Sequence, residues 1–402
     1  MGLTGKKICC RSFQAVLKLG NYTIKYPTPE VLEGPGQVRY LGAFLKGKNL
    51  NDILIVTGAG MLGRGMVQPL LDGFDENGIR YTIQCYSHPD PTSDDVELGY
   101  EVYREKGCKA IVALGGGSRI DCAKGIAAKA VHPEKKISQL QGLMKVHRPI
   151  PTFIAVPTTA GAGSETTVAA VITDSATHRK AAINDPCLIP QYAVLDPELT
   201  VSMSPFTTAI TGMDALCHAV ESYTNHTYNT ELENDRAKQA VKLIYHNILT
   251  AFADGGNLEA RQNMQRAAFF AGRAFTRGCV GYVHAVGHTL GGLYGVPHGL
   301  AMAVLLPKVM RQYGEAVRKR LSELAEVCGI PGDTRAERTE GLLRWMERTN
   351  EAMGLPNSFP MIREEDIDRM ITWADREANP LYPVPVIWGR EDFRSLIQSI
   401  RE

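Results

Sequence analysis

The 402-residue chain has no excess of positive charge: 44 Lys and Arg stand against 43 Asp and Glu, a formal net charge of +1. A surface built to hold duplex nucleic acid carries a basic surplus, so nucleic acid is set aside as a partner. Long apolar runs are missing as well. No stretch approaches the roughly 18 apolar residues of a membrane span. The positive start Met1-Gly2-Leu3-Thr4-Gly5-Lys6-Lys7 is not followed by the apolar segment of a signal peptide. The nine cysteines are odd in number and scattered, which reads as reduced thiols of a cytoplasmic protein rather than a disulfide framework. Internal repeats and low-complexity segments are absent too. What remains is an ordinary globular balance, 44% hydrophobic and 22% charged, over a length that suggests two domains.

The two halves differ in period. Short apolar, β-branched runs, Ile53-Leu54-Ile55-Val56-Thr57, Tyr81-Thr82-Ile83, Ala110-Ile111-Val112-Ala113-Leu114 and Phe153-Ile154-Ala155-Val156, alternate with helical stretches near 62–76, 92–106 and 118–130. Strands that are apolar throughout and alternate with helices predict a parallel sheet covered on both faces. From about Ser204-Pro205 onward the spacing is helical with few strand candidates. The expected organisation is an α/β domain over 1–204 and an all-helical domain over 205–402.

Three clusters in the first half suit a nucleotide. Gly58-Ala59-Gly60-Met61-Leu62-Gly63 fits the dinucleotide pattern after a strand, although a tight strand-to-helix turn explains its glycines equally well. Cys85-Tyr86-Ser87 stands where the acid expected at the tip of the following strand would be. Gly115-Gly116-Gly117-Ser118 also follows a strand and opens a helix carrying Asp121 and Lys124. Glycines there let the backbone approach a pyrophosphate, and the helix N-terminus points free N–H groups at it. The third cluster, Pro157 to Thr167, places hydroxyls and small residues at the carboxyl edge of the sheet, where such ligands bind.

The helical half offers a ligand set for a cation. Asp214 and His218 lie four apart, as do His284 and His288, and His298 follows in a Pro-His-Gly turn. A spacing of four puts two side chains on one helix face. One carboxylate and four imidazoles are suitable ligands for a divalent ion, and the residues alone do not separate His284 from His288. The His284–His288 pair lacks the glutamate of a zinc protease, because Ala285 occupies that place.

With these residues identified, the chain resembles the iron-containing (group III) alcohol dehydrogenases over nearly its whole length. The landmarks are Gly115 to Asp121, Pro157-Thr158-Thr159-Ala160-Gly161, Met213 to Glu221, and the segment from Gly281 to Gly299. The resemblance implies a Rossmann-like parallel-sheet domain followed by a helical one, the dehydroquinate synthase-like fold, with the active site in the cleft between them. It also implies metal ligands Asp214, His218, His284 and His298, with His288 a non-ligand near the nicotinamide that relays protons. Gly115, Gly116, Gly117, Ser118 and Asp121 would hold the pyrophosphate, and Thr158, Thr159, Ser164 and Lys180 would line the cofactor site. The implied cofactors are NAD(P) and Fe²⁺, with Zn²⁺ or another divalent ion able to replace it. The implied reaction moves a hydride between the dinucleotide and a small alcohol or aldehyde, in a homodimer or larger homo-oligomer.

Two departures from the family pattern bear on specificity. Many members carry an aspartate where this chain has Gly58, so a barrier to the 2′-phosphate of NADP is lifted. Arg277 stands where relatives often have a neutral asparagine, which raises the expectation of an anionic aldehyde substrate beside the alternative of a purely structural arginine. A metal-dependent lyase or synthase that uses NAD transiently is the alternative function.

Overall fold

The computed structural model describes every residue except Met1, Pro89, His178 and His226. The chain forms two compact units: Lys25–Ser202, and Met203–Glu402 together with the segment that ends at Ile24. Helix α1 (Leu3–Thr23) therefore packs with the helical half, whereas the sequence expectation gave all of 1–204 to the α/β half. Specific bonds hold it there. Lys6 reaches Asp375 at 2.5 Å and the carbonyl of Trp388 at 2.7 Å, and Arg11 donates to the carbonyls of Val384 and Pro385. Gln14 donates to those of Pro380 and Tyr382.

The α/β unit contains strands β1 (Glu30–Glu33), β2 (Ile53–Gly58), β3 (Tyr81–Tyr86), β4 (Ala110–Gly115), β5 (Gly142–Leu143), β6 (Thr152–Pro157), β7 (Ala169–Thr173), β8 (Lys180–Asn184) and β9 (Tyr192–Leu195). Between them run helices α2 (Gln37–Gly47), α3 (Ala59–Gly63), α4 (Gln68–Asn77), α5 (Ser93–Glu105), α6 (Gly117–Val131) and α7 (Ile137–Leu140). Six strands form a wholly parallel sheet in the order β1-β9-β6-β4-β2-β3, and β5, β8 and β7 form a small second sheet. Side chains alternate between two cores, as a period of two requires. Leu54, Val56, Ile111 and Ala113 face one, while Ile53, Ile55, Ala110 and Val112 face the other. Both faces are covered, which is why the central strands read as unbroken apolar runs. The helix expected over 62–76 is interrupted: Gly65, at φ +70, separates α3 from α4.

The helical unit continues through α8 (Pro205–Asn225), α9 (Glu231–Ala253), α10 (Leu258–Gly278), α11 (Tyr282–Tyr294), α12 (His298–Tyr313), α13 (Glu315–Val327), α14 (Arg335–Ala352), α15 (Glu364–Ala378) and α16 (Arg390–Arg401). Helix α8 is buried along most of its length and packs against α9, α10 and α12, while α11 packs against α12 and α15. Among the described residues, no helix is long and apolar enough to cross a membrane.

Candidate metal centre and nucleotide face

Within the helical unit, α8, α11 and the first residue of α12 bring their polar side chains to one point. Asp214 and His218 project from one face of α8. Gly299 sets the approach of α12, because a Cβ there would fall 2.2 Å from the carbonyl oxygen of Ile210. The close contact that glycine permits carries His298 to Asp214.

Three imidazole nitrogens surround one carboxylate oxygen. From Asp214 Oδ1, His298 Nε2 lies at 3.3 Å, and His284 Nε2 and His218 Nδ1 each lie at 3.9 Å. Donor atoms held about 2.1 Å from one ion are at most about 4.2 Å apart, so these separations fit a shared cation. Asp214 Oδ1, His218 Nδ1 and His284 Nε2 are also buried without a hydrogen-bond partner among the described residues. Buried polar atoms are almost always satisfied. Three orphans converging on one point are therefore accounted for by a ligand, and this donor set of one carboxylate and three imidazoles fits a divalent metal.

Electrostatics favour the ligating forms. Burial pushes the Asp214 carboxyl up, but the facing imidazoles of His218, His298 and His284 outweigh it and hold the group below the ordinary carboxylate range. Burial drives His218 down to about 3 against the pull of Asp214, and it drives His284 well below its ordinary value. Neutral imidazole with a free lone pair is the form that binds metal.

Glu221, one further turn along α8, fixes the tautomer of His284. Its Oε2 lies 2.5 Å from His284 Nδ1, which leaves Nε2 to face Asp214. Its other oxygen accepts from the backbone N–H of Val283 at 2.8 Å, in the first turn of α11, where amides lack helical partners. A carboxylate behind a histidine ligand orients the ring and raises its basicity. Burial lifts the Glu221 carboxyl to about 7 against these hydrogen bonds. Cys217 adds a third group near His284, Sγ to Nδ1 at 3.8 Å, on the side that Glu221 already occupies. His218 is held by stacking on Phe275, ring centroids 4.1 Å apart.

His288 differs from the other histidines. Like His298 it is exposed, but its Nδ1 lies 2.7 Å from Glu377 Oε1 on α15, and its ring stacks on His298 at 5.3 Å between centroids. Among the described residues a compact metal-binding group contains Asp214, His284 and His298, with His218 and His288 both outside it. Glu221 continues the helix face of Asp214 and His218, a spacing signal that lies inside the Met213–Glu221 landmark. Glu377 lies 89 residues from His288, and no local spacing marks it.

Arg277 is engaged in structure. Its Nε donates to the carbonyl of Tyr228 and its Nη2 to that of Asn21 in α1, with Glu233 4.0 Å away and the Tyr22 ring 5.9 Å from the guanidinium. That geometry favours the structural role over an anion-binding one.

Within the α/β unit, the carboxyl ends of neighbouring strands β2, β4 and β6 gather the glycine and hydroxyl clusters. Gly115 ends β4 at φ +156, Gly116 caps α6, and a Cβ on Gly117 would stand 3.0 Å from Ala162 Cβ and 3.1 Å from Ser164 Oγ. The Gly115–Ser118 turn and the Thr158–Ser164 loop thus pack together, with the Thr158 N–H donating to the Gly115 carbonyl at 3.1 Å. Thr159 lies against Gly116, 3.5 Å from the position of its missing Cβ. Asp121 accepts from the N–H of Val171, and buried Lys124 donates to Thr167 and to the carbonyl of Ala169. These two α6 residues tie down the segment after the loop. Lys180 opens β8, is exposed, and pairs with Asp90 at 2.9 Å.

Comparison with known proteins agrees with both halves. Residues 27–197 match the family "Iron-containing alcohol dehydrogenase", and 208–400 match "Fe-containing alcohol dehydrogenase family, C-terminal". The NAD-dependent methanol dehydrogenase of Bacillus methanolicus is 36% identical over 85% of this chain and 90% of its own length. The 1,3-propanediol dehydrogenase of Klebsiella pneumoniae is 36% identical over 86% and 90%. In structure, the alcohol dehydrogenase from Oenococcus oeni superposes with a TM-score of 0.89 at 32% identity, covering 94% of this chain and all of that one.

Proposed function

The chain belongs to the iron-containing alcohol dehydrogenase family, and on that premise we propose that Asp214, His218, His284 and His298 hold one divalent ion and Gly115–Ser118 the pyrophosphate of a nicotinamide dinucleotide. The reaction is that of an alcohol dehydrogenase: a hydride moves between NAD(P)(H) and a small alcohol or aldehyde. The alternative of a lyase or synthase is not favoured, since the matched relatives are alcohol dehydrogenases. The observation that carries the metal reading is the convergence of three buried, unpartnered donor atoms at Asp214.

A divalent ion at these ligands supplies Lewis acidity to a substrate oxygen. The dinucleotide brings the hydride chemistry, and the protein brings placement. Glu221 keeps His284 Nε2 presented by accepting at Nδ1. His288, exposed and anchored at Nδ1 by Glu377, is positioned to pass the alcohol proton to and from solvent at Nε2. In the α/β unit, Asp121 and Lys124 tie down the Thr167–Val171 segment that follows the Thr158–Ser164 loop, whose hydroxyls lie beside the glycine turn for the cofactor. Lys180, which opens β8 and pairs with Asp90, is taken to line the cofactor side. Gly58 offers no carboxylate to repel a 2′-phosphate, so the reading includes NADP(H) alongside NAD(H). Fe²⁺ is the ion proposed, with Zn²⁺ able to replace it at the same ligands. The proposal also takes the enzyme as cytoplasmic and homo-oligomeric.

The test is a substrate panel of small alcohols and aldehydes, followed at the NAD(P)H absorbance with protein loaded anaerobically with Fe²⁺. Turnover with stoichiometric metal supports the reading. Protein that retains no divalent ion and produces no absorbance change overturns it.

A further inference from the structure

The β4–α6 turn carries one side chain that the nucleotide reading leaves unused. Arg119 is the third residue of α6, and its guanidinium folds back to the end of β2. A Cβ built on Gly58 would stand 2.8 Å from Arg119 Nε and 3.3 Å from Nη2, so the guanidinium fills the ground that a side chain at 58 would take. Its Cζ lies 4.0 Å from the centre of the Tyr86 ring, within cation–π range, and Nη1 donates to the carbonyl of His88 at 2.9 Å. The buried Tyr86 is itself fixed, its hydroxyl donating to the Ser118 carbonyl at 2.8 Å. Two groups at and beyond the end of β3 therefore hold this arginine: the Tyr86 ring and the His88 carbonyl.

Dinucleotides bind at the carboxyl ends of parallel strands, where an acidic side chain accepts the ribose 2′-hydroxyl of NAD and an arginine accommodates the 2′-phosphate of NADP. Neither β2, which ends at Gly58, nor β3, which ends at Tyr86, supplies a carboxylate there. The acids nearby are engaged: Asp95 caps α5 and meets His88 at 2.6 Å, and Asp90 pairs with Lys180. With Nη1 committed to His88, the Nε–Nη2 edge of the guanidinium packs toward Gly58, 2.8 and 3.3 Å from where a Cβ there would stand. A guanidinium at the tips of β2 and β3 is the group that holds a phosphate through charge-assisted hydrogen bonds.

The geometry points to Arg119 as the residue that binds the 2′-phosphate of NADP(H), with Gly58 leaving the room and Tyr86 holding the guanidinium in place. The consequence is a preference for NADP(H) over NAD(H), built from a residue of the phosphate turn itself. This rests on the α/β unit binding a dinucleotide as proposed above.

Direct binding of NADP⁺ and NAD⁺ to the full chain, by calorimetry, tests it without turnover. The wild type is expected to bind NADP⁺ at least about tenfold more tightly than NAD⁺, and Arg119→Ala to lose that advantage while its NAD⁺ affinity stays within about twofold, the scale of one charge-assisted hydrogen bond. Gly58→Asp should remove the NADP⁺ preference as well, by placing a carboxylate against the guanidinium. Should Arg119→Ala fail to fold, wild-type protein still decides: adenosine 2′,5′-bisphosphate should raise its Tm more than ADP does. Equal losses of both dinucleotides in Arg119→Ala, or a wild type that favours NAD⁺ or ADP, would overturn the inference while leaving dinucleotide binding intact. A wild type that binds neither dinucleotide defeats the underlying reading and this inference with it.

Discussion

The two units build their sites from opposite materials. In the helical unit the proposed ligands are titratable side chains, and three of their donor atoms are buried without a hydrogen-bond partner among the described residues. In the α/β unit the proposed site is made by removing side chains, so that glycine backbone at Gly116 and Gly117 meets the hydroxyl loop closely. A buried polar atom without a ligand costs free energy, which makes the first site an investment that only binding recovers. A bare backbone turn costs little when empty and is ruined by anything that fills it. The helical site should therefore fail when an atom is taken away, and the α/β site when one is added.

The largest effect expected from breaking this contrast is at His284. Removing a ligand forfeits several kcal/mol of Lewis-acid assistance, so His284→Ala should lose the metal and on the order of a thousandfold in turnover. His288→Ala should retain the metal in elemental analysis. The reverse pattern would move the ligand assignment from His284 to His288. Glu221→Gln leaves the shape of the pocket but weakens the acceptor behind His284, and should lower metal affinity about 10–100-fold with the fold intact. Unchanged affinity in a competition assay with a chelator would reduce Glu221 to a helix cap. On the other side, Gly117→Val overpacks against Ala162 and Ser164 at a cost of about 1–3 kcal/mol. Dinucleotide affinity should fall and metal content should not. Loss of metal in that variant would show that the two sites are not independent. The smallest effect belongs to Arg277→Ala, which removes two hydrogen bonds, worth about 1–2 kcal/mol of stability. Its KM values for acidic and neutral aldehydes should shift together. A selective rise for the acidic one would return the guanidinium to substrate recognition.

Much of this was legible in the sequence because it is periodic. Strands buried on both faces leave unbroken apolar runs, and the helix spacing of Asp214 with His218 marks a shared face. The parallel sheet followed from such patterns. What stayed hidden depends on contacts distant along the chain. The placement of α1 with the helical unit rests on Lys6, Arg11 and Gln14 reaching residues beyond 374. The different surroundings of His284 and His288 rest on Glu221 and Glu377, one on each neighbouring helix. Arg119 has no pattern at all: its reach to Gly58 depends on two parallel strands lying side by side, 57 residues apart at Ile53 and Ala110.

The placement of α1 also orders events during synthesis. Lys6 waits for a partner 369 residues later, about 20–70 s at ribosomal rates of about 5–20 residues per second. Over that time the α/β unit, which holds every strand of the two sheets, has all of its own residues available, while the partners of α1 have yet to be made. Ile8, Val16 and Leu19 stay exposed on α1 even in the finished fold. Helix α1 is thus made well before the residues it docks against, and until then its apolar face is exposed to whatever meets the nascent chain.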